Sequence, residues 1–263
     1  MIRCSVRRAV RSVFDLFLAA MILFPFSGLA QEEPKDSEEA EPVFTAGVEA
    51  DFNSRYVWHG IAYSDGPVFQ PSAWVSAYGL TFSPWANFVL GKEANQGQFN
   101  EVDFSLSYER EWKKFTLSAG FLHYSYLNQE DAPATGEIIV TAAYSLPKSF
   151  QICTVHSFDV EEYPASYFGE YGLGFEHEFN SKLSTQAHAF LGFGSSKFNQ
   201  VYLGARQNAL NLAAADLGLT YYPLKTLYFR PHLEYTSLLD SNLREQVEDP
   251  TIANFGLAMG LEF

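Results

Sequence analysis

Val102-Asp103-Phe104-Ser105-Leu106-Ser107-Tyr108, running on to Glu109-Arg110-Glu111-Trp112, alternates apolar and polar side chains along most of its length. A repeat of two belongs to an extended strand, whose successive side chains point to opposite faces. Val102, Phe104, Leu106, Tyr108 and Trp112 thus share one face, against Asp103, Ser105, Ser107, Glu109 and Glu111. The split recurs along the chain. Phe44, Ala46, Val48, Ala50, Phe52, Tyr56 and Trp58 oppose Thr45, Glu49, Asp51, Asn53 and Arg55. Tyr171, Leu173, Phe175 and Phe179 oppose Glu170, Glu176 and Glu178, and Leu227, Phe229, Leu233 and Tyr235 oppose Arg230, His232 and Glu234.

About twelve such segments follow one another, near 43–59, 67–78, 80–91, 99–112, 115–127, 136–146, 149–159, 166–179, 183–195, 211–223, 226–239 and 254–263. Their lengths suit tilted strands crossing a bilayer, which takes about 9–11 residues each. Gly79, Lys113-Lys114, Pro147-Lys148, Asn180-Ser181-Lys182 and Leu224-Lys225 mark short turns. Longer polar stretches at 92–98, 128–135, 160–165, 196–210 and 240–253 fall between them, and short alternates strictly with long. That parity is the mark of periplasmic turns set against external loops, and an even strand number returns both chain ends to one side.

Aromatic residues make up 16% of the chain. Trp112, Phe115, Tyr144, Phe150, Phe179 and Tyr221 lie by the short turns, and Trp58, Phe88, Tyr126, Tyr167 and Tyr235 by the long loops. Two such girdles are what membrane interfaces favour. The expectation is an all-β fold, a transmembrane antiparallel up-and-down barrel. A soluble sandwich also alternates, but explains neither the girdles nor the loop parity.

The N-terminal region reads as export. Arg3, Arg7, Arg8 and Arg11 precede a short apolar run, Leu16 to Phe26, and Gly28-Leu29-Ala30 offers a cleavage site before Gln31. Residues 1–30 are expected to leave as a signal peptide, 31–42 to form an acidic disordered periplasmic lead-in, and 43–263 to form the barrel in a bacterial outer membrane. Cleavage leaves 13 basic against 30 acidic residues, a net charge of about −17. Such a chain repels nucleic acid. Cys4 goes with the leader, so Cys153 has no internal disulfide partner.

If the apolar face meets lipid, parity turns Glu49, Asp51, Asp103, Glu109, Glu111, Glu137, Glu170, Glu176, Glu178, Asp216, Glu234 and Glu262 inward. Only Arg55 and Arg230 oppose them, with His188 and His232 able to take a proton. Rings of acidic side chains concentrate cations, which points to a porin-like, cation-preferring channel for ions or small hydrophilic solutes. Glu49, Asp51, Arg55, Asp103, Glu109, Glu137, Glu170, Glu176, Asp216, Arg230, His232 and Glu234 are the candidate selectivity residues, and the loops at 196–210 and 240–253 are expected to narrow the entrance. The alternative is a plugged structural or adhesion barrel, its acids networked around Arg55 and Arg230.

His123-Tyr124-Ser125 places His and Ser on one lipid-facing wall, resembling the pair in outer-membrane phospholipases and lipid A deacylases. Hairpin pairing sets Val102 and Phe104 on one side and Ile138 and Val140 on the other, with no carboxylate or amide to orient the imidazole. The sequence therefore reads as a non-enzyme. His156-Ser157 are adjacent, hence on opposite faces. The histidines lack metal-ligand spacing, no nucleotide motif occurs, and no cofactor is expected. Glu161-Glu162, Asp240 and Glu245 with Glu248-Asp249 read as solvated loop charge rather than a Ca²⁺ site.

Two resemblances sharpen the picture. Phe255, Leu257, Met259, Leu261 and the terminal Phe263 resemble the signal that outer-membrane barrels present to their assembly machinery. Ser54-Arg55-Tyr56-Val57-Trp58-His59-Gly60-Ile61, followed by Asp65-Gly66-Pro67-Val68-Phe69-Gln70, resembles the TorF-type family of outer-membrane porins, clearly over roughly 45–80 and more weakly beyond. That resemblance implies a porin barrel. His59 stands where the family pattern has Arg. The expected surroundings are outer-membrane lipids, the assembly machinery and permeating solutes, with the chain working as a monomer.

Overall fold

A computed structural model describes residues 44–129 and 132–263. The leader, the acidic lead-in and Val43 lie outside the described residues. Twelve long strands close into one barrel: β1 (Phe44–Asn53), β4 (Val68–Ala77), β5 (Leu80–Val89), β6 (Phe99–Trp112), β7 (Phe115–Tyr126), β8 (Thr135–Ser145), β9 (Phe150–Asp159), β10 (Tyr167–Asn180), β11 (Leu183–Gly194), β12 (Ala209–Tyr221), β13 (Leu227–Leu238) and β14 (Thr251–Glu262). Two-residue strands β2 (Val57–Trp58) and β3 (Ile61–Ala62) pair only with each other. Helices α1 (Ser196–Leu203) and α2 (Ser241–Arg244) sit in the last two long loops.

Every long strand pairs antiparallel with its sequence neighbours, and β1 pairs with β14, from Gly47 opposite Glu262 to Asn53 opposite Gly256, which closes the ring. Closure satisfies every strand edge, the condition for backbone to lie in hydrocarbon. Large apolar side chains stand exposed around the outside, Val48, Phe82, Leu106, Leu117, Leu173, Leu217 and Leu257 among them. On a water-soluble protein such a belt would be a severe liability; in lipid it is the solvated face. Phe255, Leu257 and Leu261 belong to it, and the terminal Phe263 exchanges backbone hydrogen bonds with Ala46.

The strand reading matches segment by segment except at the first. Residues 43–59 were expected as one strand, but β1 stops at Asn53. Ser54 turns the chain: its hydroxyl donates to Asn254 Oδ1 at 2.7 Å, and the Arg55 amide donates to the same oxygen at 3.1 Å. The Arg55 guanidinium pairs with Asp249 of the last loop. The chain then folds back as the β2–β3 hairpin, held by Tyr63 N–H to Tyr56 O at 2.8 Å and Tyr56 N–H to Ser64 Oγ at 2.7 Å. Its two turn residues, His59 and Gly60, both have positive φ, 47° and 80°, as two-residue hairpin turns require. Tyr56 and Trp58 are therefore not lipid-facing.

Trp58 packs on Phe198 (5.8 Å) and Tyr202 (5.0 Å) of α1, and edge-on to Tyr124 (6.2 Å). Around these contacts lies an apolar cluster inside the barrel near the long loops. Phe168, Phe198, Leu203, Leu212, Leu238 and Leu243 are all but sealed from solvent there. A fully buried Leu or Phe contributes about 1.5–3 kcal/mol, so the cluster fastens both helices and the hairpin to the wall. Helix α1 starts at Ser195, whose Oγ accepts from Phe198 N–H, and is locked by Asn199, which donates to Gln207 O at 2.8 Å.

Candidate functional site: the bore

The wall's inward positions and the hairpin together enclose a cavity of about 380 Å³. Glu49, Asp51, Arg55, Asp103, Glu170, Asp216, Arg230 and Glu234 line it, as do His59 and His188. Glu137 is buried behind this lining and is bonded by the Tyr124 hydroxyl at 2.7 Å. His232 is also buried. Glu109, Glu111 and Glu178 hold their parity but stand exposed by the short turns, outside the cavity lining.

Arg230 and the bore histidines each face a carboxylate. Arg230 reaches Glu49 at 2.5 Å, His232 Nε2 lies 2.9 Å from Asp51, and His188 Nδ1 lies 3.1 Å from Asp216. His188 and Asp216 are direct register partners. The first two pairs skip a strand. Tyr228, Arg230 and His232 on β13 reach over β14 to β1, because β14 turns Gly260, Ala258 and Gly256 to the bore there. A Cβ at Gly256 would stand 2.5 Å from His232 Nε2, and one at Gly260 2.3 Å from the Tyr228 ring. Small residues on one strand thus carry the charge pairing between its neighbours.

Arg55 was read as an inward counter-charge for bore acids; it lines the cavity, but its partner is Asp249 in the loop. His59 takes a place sequence reasoning did not give it: Nδ1 lies 3.2 Å from Glu170, and its ring covers Phe168 at 4.0 Å. Glu101 and Asp159 also escaped that reasoning, and both are almost wholly buried on the inward face. Glu101 could have been found, since it shares parity with Asp103 and Ser105. Asp159 shares parity with Gln151 and Ser157 and could have been found too; what the sequence does not show is that its Oδ1 caps the following turn, accepting from Glu161 and Tyr163 N–H at 3.1 and 2.8 Å.

Tyr126, expected on the outer rim, instead stacks parallel to inward Tyr124, ring centres 6.5 Å apart. Tyr56, Tyr63 and Tyr202 crowd the same mouth. Burial pushes their phenols above the ordinary range, with the Glu101 carboxylate adding at Tyr56 and Tyr63 and Glu137 at Tyr202. They remain protonated donors at neutral pH.

On the outer wall, pairing alone left His123 without an orienting group. The structure corrects this. Glu161, from the β9–β10 loop, brings Oε2 to 3.2 Å from His123 Nδ1. It crosses over Gly136, the register partner of His123, where a side chain would block it. His156 and Ser157 do face opposite ways, His156 hydrogen-bonded to the Tyr167 hydroxyl at 2.9 Å and Ser157 buried in the bore.

No protein-family model and no curated protein matches the chain. Among solved structures, a NanC porin aligns with a TM-score of 0.51 at 12% identity, over 82% of this chain and 98% of that one. A KdgM porin in complex with disordered oligogalacturonate aligns with a TM-score of 0.50 at 9% identity, over 83% and 99%. At such identities the likeness is one of fold: this chain shares the barrel architecture of outer-membrane porins.

Proposed function

We propose that the chain is an outer-membrane channel for passive diffusion of ions or small hydrophilic solutes, with a preference for cations. The observation that carries this reading is the lining of the bore. A packed barrel interior would interlock apolar side chains throughout, whereas this one surrounds 380 Å³ with a mixed lining, where carboxylates, arginines and hydroxyls stand among apolar residues such as Trp58, Ile139 and Leu212 and the carboxylates outnumber the arginines. The resemblance of residues 54–70 to the TorF-type motif supports kinship with that family, and within this stretch residues 57–62 form the hairpin that lines this bore. His59 there supplies an ionisable nitrogen where the family pattern has Arg. Outer-membrane lipids around the apolar belt, the assembly machinery reading the β14 signal, and a single barrel as the working unit complete the proposal.

The test is the mature chain refolded in detergent and inserted into a planar bilayer under a salt gradient. Discrete current steps with a reversal potential on the cation side are expected. Silence from protein already shown to be folded sinks the channel reading in favour of a plugged barrel.

A second reading has one specific observation behind it. Glu161 on His123, with Ser125 two residues along the same face, is the order in which a carboxylate orients a base for a serine nucleophile. A lipid hydrolase reading predicts ester cleavage that Ser125→Ala abolishes without touching conductance. Absence of cleavage by the wild-type barrel removes it.

A further inference from the structure

Within the bore, one carboxylate stands apart from the paired ones. Asp103 on β6 is 7% exposed and lines the cavity, yet its Oδ1 has no hydrogen-bond partner. The basic side chains of the bore are committed elsewhere: Arg230 to Glu49, His232 to Asp51, His188 to Asp216 and His59 to Glu170. Among the described residues, no Lys, Arg or His forms an ion pair with Asp103. A buried carboxylate oxygen with no donor is an acceptor waiting for one.

Its neighbours are aromatic. In register across the wall, Asp103 lies between Trp85 on β5 and Tyr124 on β7. The hairpin lays Tyr56 against Trp85, ring centres 5.5 Å apart, and sets Trp58 edge-on to Tyr124. Electron-rich ring faces beside a carboxylate attract a cation that can shed part of its water, within about 6 Å of a ring centre. An ammonium or guanidinium group fits that description. A hard metal ion does not, because it needs several oxygen ligands, and no group of three or more His, Cys, Asp or Glu among the described residues is arranged to hold one.

We infer that Asp103, Trp85 and Tyr124, roofed by Tyr56 and Trp58, form a subsite for a small organic cation carrying an ammonium or guanidinium group. The inference deepens the channel reading and rests on it: the site would make such cations preferred solutes, pausing beneath the hairpin.

Binding can be read without any current. Methylammonium titrated into the detergent-folded mature chain should change tryptophan fluorescence saturably, through Trp58 and Trp85, where equal sodium does not. Asp103→Asn, which keeps the side-chain shape, should weaken the apparent affinity about tenfold, and Trp85→Leu by a similar factor. Glu245→Gln, in an outer loop, should leave it alone. A flat wild-type titration, or an Asp103→Asn protein that titrates like wild type, overturns the subsite; if that variant does not fold, Trp85→Leu decides on the same terms. Planar-bilayer currents in KCl separate the two ideas. Open channels with flat fluorescence overturn the subsite alone. Silent barrels with saturable fluorescence overturn the channel and leave a cation-binding barrel.

Discussion

Toward the short turns, the bore wall is built from long polar side chains stretched over small residues: Tyr228 and Arg230 pass β14 to meet Glu49, and His232 passes Gly256 to meet Asp51. Toward the long loops, the same barrel is filled by a hairpin, two helices and an apolar cluster around Phe168, Phe198 and Leu212. The first region is held by electrostatics and the second by apolar packing. On the proposed channel reading, solvent belongs to the first region and the constriction to the second. Charges fixed on strands cannot wander, whereas a constriction made of loop elements can be trimmed without opening the ring.

The harshest way to break that contrast is to remove the hairpin. Residues 57–62 contribute nothing to the closed sheet, since β2 and β3 pair only with each other. Replacing them with a short Gly-Ser linker should leave a folded barrel and raise single-channel conductance severalfold. An unchanged conductance would place the constriction elsewhere.

The contrast also explains what the sequence could and could not reveal. The wall is a local pattern: alternation marked the apolar face of β6, β10 and β13, and counting the alternating segments gave the strand number. The filling is long-range. That Glu161 reaches His123 across Gly136, or that α1 lays Phe198 on Trp58, depends on loops folding back over strands distant in the chain. One local clue was present at the error in the first segment. His59-Gly60 between Val57-Trp58 and Ile61-Ala62 is a two-residue turn signal embedded in an alternating run. Tyr56 and Trp58 continued the lipid-facing parity of β1 closely enough to hide it.

Next in size is the loss of the anchor of α1. Phe198 is 1% exposed and touches Trp58, His59, Phe168 and Tyr202. Phe198→Ala should cost about 3–5 kcal/mol of loop-end packing. Hydrogen exchange across 196–203 should accelerate while the strands below stay protected. Loss of protection in β13 and β14 as well would show that the two regions are one cooperative unit.

A smaller, electrostatic effect is expected at the other end. Arg230→Met removes the guanidinium from Glu49 and leaves Tyr228 as the donor there, at about 1–3 kcal/mol for a hydrogen bond to a charged group. The bore becomes one charge more acidic, so the reversal potential should move further to the cation side. A shift toward anions would mean that Glu49 lies outside the permeation path.

The gentlest test asks whether the small residues of β14 are what lets the charges pair. Gly256→Ala adds one methyl 2.5 Å from His232 Nε2 and equally close to Asn53 Oδ1, a distance no Cβ tolerates. The imidazole must swing off Asp51, at a cost of about 1 kcal/mol. Chemical denaturation of the refolded barrel reads that cost, but a modest loss could also come from strain in the strand itself. His232→Ala separates the causes. If the clash with the imidazole is the mechanism, Gly256→Ala should cost clearly less in the His232→Ala background, keeping only the share owed to Asn53 Oδ1, and the two changes should couple. Additive costs would instead assign the effect to Asn53 or to the backbone of β14, and the reach of His232 to Asp51 would owe nothing to the size of Gly256.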